Sequence, residues 1–502
     1  MPFNSIFAWL MKKRIHQTDL FRKFPLDVQQ ELLLNLLSFA KNTEFGLKHE
    51  FEKIKRYADF KKSIPLSNYE TLKPLIDRLI AGEQNILWPS ETNWFAKSSG
   101  TTSSKSKFIP VTKESLFDCH YKGGKDLLAL YYENFPNRKL YNGKHLNVGG
   151  SLQVNPNIED SYLGDISAII MKNLPWWAEI KRIPSKETAL MSDWESKLEK
   201  TAAETMNQDV YILTGVPSWT YILLKKILEI SGKKNITDVW PNLELYLHGG
   251  VSFEPYKKLF QEIISNPEMN YVETYNASEG FFGIQDGTNS SELLLMLDYG
   301  IFYEFIPMSN FDGENSTEII ELSDVKLDTN YALVITTNGG LWRYIIGDTI
   351  KFTSLLPFKF VVTGRTKSYI NVFGEELIVD NVEKALAKTC ELTNSAVKDC
   401  TAGPNYLEEN KQGKHEWLIE FEKNPSDLNE FESILDKEIC KINSDYEAKR
   451  AADLLLLNLS IQAVKTGTFD AWLKEKGKLG GQSKIPRLSN DRQIIEEILA
   501  FT

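Results

Sequence analysis

The sequence predicts an α/β protein: a large N-terminal domain over residues 1–365, layered α/β with a β-rich part, and a small C-terminal α+β domain over residues 366–502. Three observations predict it. Between residues 116 and 275, amphipathic helical stretches alternate with short apolar runs, the order that builds helices around a largely parallel sheet. From Leu293 onward, closely spaced β segments are separated by Asn, Asp and Gly clusters, which predicts a small barrel or an antiparallel sheet. After Gly364-Arg365 a fresh α+β pattern begins, long enough to form its own domain.

Taken in order, residues 27–39 place leucines and a valine every three or four positions, a helix within a helical layer over roughly the first 80 residues. Residues 93–96 and 108–111 are apolar and read as strands. Helical patterns follow at 116–132, 195–206 and 219–230, the last after the turn Gly215-Val216-Pro217-Ser218. Short strands are expected at 243–247 and 272–275, then β segments at 300–306, 317–322, 331–336, 349–353 and 359–363. The tail reads helix 379–388, strand 416–421, helix 427–442 and strand 457–464.

Composition narrows the class. With 502 residues, 42% hydrophobic and 25% charged, the chain reads as a soluble enzyme of two or three domains. Its net charge of −10 supplies no general attraction for nucleic acid or anionic lipid, so neither is expected as a partner. The basic stretch Lys12-Lys13-Arg14 follows an apolar one, the reverse of a secretory signal, and no apolar run approaches the roughly 20 residues of a membrane span. Cys119, Cys390, Cys400 and Cys440 match neither a disulfide framework nor a C-x-x-C metal pair. The expectation is a cytoplasmic protein without a structural metal.

Four segments carry candidate chemistry. The run Ser98-Ser99-Gly100-Thr101-Thr102-Ser103-Ser104-Lys105-Ser106-Lys107 brings backbone N–H groups, hydroxyls and two lysines around a flexible glycine, a composition suited to phosphate. It lacks the second glycine of a Walker loop, and a polar surface turn is the plain alternative. Leu247-His248-Gly249-Gly250-Val251 ends a strand in paired glycines, which let a flat ring lie on bare backbone or simply turn the chain toward a helix. Thr274-Tyr275-Asn276-Ala277-Ser278-Glu279-Gly280 combines an aromatic face, a hydroxyl and a carboxylate, able to meet a base, a phosphate and magnesium; a core tyrosine beside a solvated glutamate is the alternative. In Trp342-Arg343-Tyr344-Ile345-Ile346-Gly347-Asp348 the aspartate could accept from two ribose hydroxyls or be a turn residue.

The order of these segments, closed by Gly364-Arg365 and by Lys484 in Gly480-Gly481-Gln482-Ser483-Lys484-Ile485-Pro486-Arg487, resembles the adenylate-forming superfamily. The forms Ser-Ser-Gly-Thr-Thr, Tyr-x-x-Ser-Glu-Gly-x-x-Gly and Trp-Arg-Tyr-x-x-Gly-Asp look most like the Gretchen Hagen three family of acyl-acid-amido synthetases, over nearly the whole chain. The resemblance implies a large domain that binds ATP and an acyl acid, and a small mobile one. It implies that Ser98, Ser99, Gly100, Thr101 and Thr102 grip ATP phosphates with Lys105 and Lys107 as flanking charge. Gly249 and Gly250 would lie beside adenine, Tyr275 would stack on it, Ser278 and Glu279 would meet the α-phosphate and Mg²⁺, and Asp348 and Arg365 would hold ribose. Lys484 would reach the carboxylate and α-phosphate. Ser103-Ser104 replaces a glycine common in the superfamily, Lys367 stands where the pivot is often aspartate, and Lys484 lies in Gln-Ser-Lys-Ile-Pro-Arg rather than a Gly-Lys ending.

The implied reaction is adenylation of a carboxylic acid followed by transfer to an amine, with an amino acid the expected acceptor. Transfer to the thiol of coenzyme A, or nucleotide binding without catalysis, are the rival readings. The acid pocket would fall around residues 118–125 and Trp176-Trp177, with Lys122 or Lys125 facing a carboxylate and His120 either a base for the amine or structural. Neither the acid, the amine nor the oligomeric state is legible.

Overall fold

The computed structural model describes residues 14–98, 107–156, 158–250, 253–287, 290–366, 369–370, 374–375, 377–407, 412–450, 456–475, 485, 487–489 and 492–501. The chain divides into two compact units, the larger reaching to Thr366 and the smaller formed chiefly from Lys367 onward.

In the larger unit the helical layer forms where the periodicity places it. Helix Pro25–Ala40 starts on a proline and buries Leu33, Leu36, Leu37 and Ala40. It docks through buried Gln29, whose amide donates to the carbonyls of Leu297 (2.8 Å) and Ile301 (3.0 Å) and accepts from the Tyr303 N–H (2.9 Å). Helix Tyr69–Ile80 is fixed by a capping box in which Asn68 accepts from the backbone of Thr71 and Thr71 returns the bond to Asn68. It turns Tyr69, Leu72, Ile76 and Leu79 inward.

The strands follow in chain order. β1 (Trp94–Ser98) and β2 (Lys107–Val111) form an antiparallel pair ending at Ser98 opposite Lys107. β3 (Lys144–Asn147), β4 (Leu152–Val154), β5 (Tyr162–Gly164), β6 (Arg182–Ile183), β7 (Val210–Thr214), β8 (Leu245–Gly249) and β9 (Asn270–Ala277) come next. Then follow β10 (Gly280–Ile284), β11 (Leu293–Leu295), β12 (Ile301–Pro307), β13 (Ile320–Glu321), β14 (Asn330–Thr337), β15 (Tyr344–Leu355) and β16 (Phe358–Arg365). Among the described residues, β2-β1-β5-β4 make a small sheet, and the large sheet runs β13-β12-β14-β15-β16-β11-β10-β9-β8-β7-β3-β6.

The large sheet has two characters, as the two sequence patterns require. β6, β3, β7, β8 and β9 are parallel, with helices between them such as Trp194–Thr205 and Pro217–Ser231. From β9 onward each neighbour is antiparallel, so the β-rich stretch after Leu293 continues the same sheet. Residues 317–322, expected as a strand, give only the two-residue β13 followed by a 3₁₀ turn over Leu322–Asp324. The helix expected at 116–132 opens with a π-helical segment, Ser115–His120, before the α-helix Tyr121–Asn134. This π segment buries Cys119 and His120.

The interior of this unit holds a buried ion pair. Arg343 sits at φ +46°, is 2% exposed, and sends Nε and Nη2 to the Glu304 carboxylate at 2.9 and 2.7 Å and Nη1 to the Ile64 carbonyl at 2.7 Å. Tyr57 donates to the same carboxylate at 2.9 Å. The arginine of the Trp-Arg-Tyr motif is thus a structural clasp between β12 and the helical layer.

The smaller unit pairs Ala396–Leu407 with Gln412–Lys423 antiparallel and adds Ser460–Val464 parallel to the second. Helices Val379–Thr393 and Leu428–Ile442 accompany this sheet, the latter capped by Asp427. All four tail elements read from the sequence are present.

Candidate active site

The parallel strands β7, β8 and β9 bring their carboxyl ends to one edge of the sheet, where α/β folds bind ligands. β8 ends at Gly249, opposite Thr274 of β9. A Cβ on Gly249 would stand 2.2 Å from the Thr274 carbonyl oxygen, so only glycine lets the strands approach this closely. Gly250 follows at φ +84°, a left-handed backbone that glycine adopts without strain. The paired glycines therefore shape the backbone step beside Thr274, immediately before Tyr275.

Tyr275 closes the site toward the antiparallel half. Its hydroxyl donates to Asp348 Oδ2, and its ring packs at 4.8 Å from that of Phe282. Asp348 stands opposite Arg365 in the β15–β16 ladder, and Arg365 Nε binds Asp348 Oδ1 at 2.8 Å. Both positions depend on a bulge: between Ile345 and Thr349 the register against β14 shifts, with Gly347 at φ +96°. Burial, the Asp348 charge and its hydrogen bond hold the Tyr275 phenol well above its ordinary pKa, so it acts as a donor.

Glu279 lies in the turn between β9 and β10. Burial raises its pKa and Asp348 adds to the rise, while Lys107 and Arg365 oppose it, which places these four side chains in one electrostatic neighbourhood. Ser278 Oγ donates to the Lys97 carbonyl at 3.3 Å, tying this turn to the end of the β1–β2 pair. Ser98, Lys107, Gly249, Gly250, Tyr275, Ser278, Glu279, Asp348 and Arg365 thus gather along one edge, although they come from segments far apart in the chain. Ser99, Gly100, Thr101, Thr102, Lys105, Lys367 and Lys484 lie outside the described residues.

The residues weighed for the acid pocket separate. Lys122 is engaged by Asp298, through its carboxylate at 2.9 Å and its carbonyl at 2.6 Å. Lys125 is exposed, and Trp176 is 76% exposed rather than in the core. The side chain of Trp177 lies outside the described set. His120 is buried, and its Nδ1 donates to Asn276 Oδ1 at 2.9 Å, one residue beyond Tyr275. Burial pushes its pKa down to about 4, so it is a neutral hydrogen-bonding group.

Three contacts had no counterpart in the sequence reading. Tyr69 follows a recognisable cap, yet nothing local reveals that its hydroxyl accepts from the Phe108 N–H at 3.0 Å, beside Lys107. Tyr344 stands in a motif noted for its aspartate and buries its hydroxyl near Glu279. Asn276 stands inside the Tyr-x-x-Ser-Glu motif, but its link to His120 spans 156 residues.

The fold is that of the adenylate-forming enzymes. It is similar to a solved GH3.15 acyl acid amido synthetase, with a TM-score of 0.61 at 18% identity over 97% of this chain and 95% of that one. It is also similar to a 2-hydroxyisobutyryl-CoA ligase, with a TM-score of 0.55 at 12% identity over 94% and 91%. Within that class the chain belongs to the GH3 family: it matches the family's N-terminal domain over residues 14–269, its central domain over 294–365 and its C-terminal domain over 380–493. Relatives include an indole-3-acetic acid-amido synthetase, GH3.4, of Arabidopsis thaliana, 23% identical over 92% of this chain and 89% of that protein. The 4-substituted benzoates-glutamate ligase GH3.12 of the same plant is 23% identical over 92% of each chain. The jasmonoyl-L-amino acid synthetase JAR6 of Nicotiana attenuata is 24% identical over 95% and 93%.

Proposed function

We propose that this protein is an ATP-dependent acyl-acid-amido synthetase that adenylates a small carboxylic acid and passes the acyl group to an amine, an amino acid being the expected acceptor. The observation that carries this reading is the Tyr275–Asp348–Arg365 cluster beside Glu279 at the carboxyl edge of the parallel strands, in a GH3 chain related to amido synthetases along its length.

A carboxylate is a poor electrophile, so the acid must first be activated. Its oxygen attacks the α-phosphorus of ATP, the bond to the β-phosphate oxygen breaks, pyrophosphate leaves, and an acyl adenylate remains. The amine nitrogen then attacks the acyl carbon, AMP departs, and the nitrogen loses a proton. No covalent enzyme intermediate is needed, so the chain's work is alignment and charge balance. Asp348, oriented by Tyr275 and Arg365, holds the ribose. Gly249 and Gly250 leave room for adenine against the backbone. Ser98, Ser99, Gly100, Thr101, Thr102 and Lys107 surround the phosphates, with Ser278 beside the α-phosphate.

Glu279 suits Mg²⁺, because that ion is held by one or two carboxylates together with nucleotide phosphates and keeps several waters. When bound, the ion would offset phosphate charge, and Glu279 would be its protein ligand. Residues 1–365 form the ATP- and acid-binding domain in this scheme, and 366–502 the small domain carrying Lys484 toward the reacting carboxylate. We assign the reaction to the cytoplasm on the strength of four cysteines free of disulfides. Among the described residues no helix is long and apolar enough to cross a membrane.

The deciding experiment is ATP–pyrophosphate exchange with a panel of indolic, benzoic and aliphatic acids, followed by amino-acid and coenzyme A acceptors. Exchange with one acid class, followed by amide formation, supports the reading. ATP binding without exchange for any acid, or consumption of coenzyme A in place of an amine, rejects it.

A further inference from the structure

Cys119 and His120 take no part in the scheme above, yet both reach the hairpin that carries Ser278 and Glu279. β9 and β10 pair with Ala277 opposite Gly280 and Asn276 opposite Phe281, which leaves Ser278 and Glu279 as a two-residue turn. Such turns favour backbones with positive φ at the first central residue or at both, because these match the twist of the flanking strands. Among the described residues, neither Ser278 nor Glu279 has a positive φ. The turn's own backbone therefore does not set the shape of the hairpin, and contacts from outside must.

Those contacts come from two consecutive residues of the π-helical segment Ser115–His120. Cys119 Sγ accepts from the Phe281 N–H at 3.2 Å, and His120 Nδ1 donates to Asn276 Oδ1 at 2.9 Å. Both bonds land on one cross-strand pair, the one immediately behind the pair that closes the turn. Cys119 and His120 are buried, so both bonds act at low dielectric, where they are stronger than in water. Gly123 brings the following helix so near that a Cβ there would stand 2.6 Å from the Phe281 ring. The clasp has little slack. Tyr275 and Asn276 project from opposite faces of β9, so His120 holds the hairpin from the face away from the Tyr275–Asp348 bond.

We propose that Cys119 and His120 are positioning residues for adenylation: by fixing Asn276 and Phe281 they hold the Ser278–Glu279 turn where it meets the α-phosphate and Mg²⁺. In this role neither side chain needs to touch a substrate. The inference rests on the ATP-dependent reading given under Proposed function.

His120→Leu removes the donor, whereas His120→Asn keeps an N–H donor on a short side chain, so the two variants separate the bond from the bulk of the ring. Both are measured by ATP–pyrophosphate exchange with Mg²⁺ varied, using the acid from the panel above that wild type exchanges best. For His120→Leu the exchange rate should fall about 10- to 100-fold and half-saturation should need more Mg²⁺, with KM for the acid unchanged, because a misplacement of about 1 Å costs this much. His120→Asn should recover most of the rate. Adenosine affinity by calorimetry should match wild type in both, since Tyr275, Asp348 and Arg365 stay joined. Cys119→Ala should show the same selective loss, and it decides the matter if His120→Leu no longer binds adenosine. An unaltered rate and Mg²⁺ requirement overturns the inference, as does a change confined to KM for the acid, or a rate for His120→Asn as low as for His120→Leu. Exchange by wild type with no change in the variants rejects this inference alone, whereas no exchange by wild type with any acid rejects the adenylation reading itself.

Discussion

Asp348 and Arg365 face each other across β15 and β16 with 2.8 Å between Oδ1 and Nε, and the second carboxylate oxygen accepts from Tyr275. One acidic side chain thus joins the last parallel strand to the antiparallel half of the sheet. Asp348→Ala is expected to weaken ATP binding about 10- to 100-fold by calorimetry, and it also removes the charge that raises the Tyr275 phenol. Ultraviolet difference titration of the variant against wild type should show one tyrosine ionising at lower pH. ATP affinity equal to wild type would take Asp348 out of the binding site.

The Arg343–Glu304 pair makes the opposite kind of prediction. Both side chains are almost wholly buried, so removing one strands the other. Arg343→Met should cost about 3–5 kcal/mol in urea denaturation, while Arg343→Met with Glu304→Met should recover much of that loss. A double variant as unstable as the single one would mean that the pair's bonds to Tyr57 and Ile64 matter more than its mutual attraction.

Two glycines should respond to alanine with opposite signs. At Gly249 the added methyl meets the Thr274 carbonyl, and Gly249→Ala should lose about 1–3 kcal/mol and disturb nucleotide affinity, because Thr274 precedes Tyr275. Gly124, within helix Tyr121–Asn134, has nothing within 4 Å of the place an alanine methyl would take, so Gly124→Ala should gain about 0.5–1 kcal/mol. Thermal denaturation of both variants checks the pair. A stabilising Gly249→Ala would show that the strands part easily.

Acid sensitivity follows from His120, His145 and His248. Burial lowers His120 and His145 to about 4 and His248 to about 3. Below about pH 6.5 the unfolded chain takes up protons that the folded chain refuses until its own lower pKa is reached. Stability is therefore full above pH 6.5 and is lost as pH falls toward 4. His120→Gln should flatten this slope by up to about 1.4 kcal/mol per pH unit, measured by denaturant titration between pH 7 and 4.5. An unchanged slope would show that His120 protonates freely in the folded state.

Local periodicity carried most of the fold. Residues 27–39, 219–230 and 427–442 became helices Pro25–Ala40, Pro217–Ser231 and Leu428–Ile442, because each sets a spaced apolar face against the interior. The segment 317–322 was misleading: its alternation resembles a strand, but only Ile320 and Glu321 find a partner in β12. The candidate site was legible as a cluster where motif residues bond one another, as Tyr275, Asp348 and Arg365 do. It was illegible where partners come from segments without a motif. Arg343 looked like part of the nucleotide motif and proved to be a core clasp. Lys122, weighed as a carboxylate partner, is bound to Asp298, 176 residues away.

The Tyr275–Asp348 bond spans 73 residues, and β11 pairs with β10 on one side and with the much later β16 on the other. At a synthesis rate of about 5–20 residues per second, Tyr275 leaves the ribosome's catalytic centre about 4–15 s before its acceptor does. Once made, the apolar segment Leu293–Leu295 has one strand edge uncovered until β16 follows it. The Tyr275–Asp348–Arg365 cluster is thus among the last parts of the larger unit to be completed during translation, and the growing polypeptide passes through a stage in which a chaperone would find Leu293–Leu295 open to it.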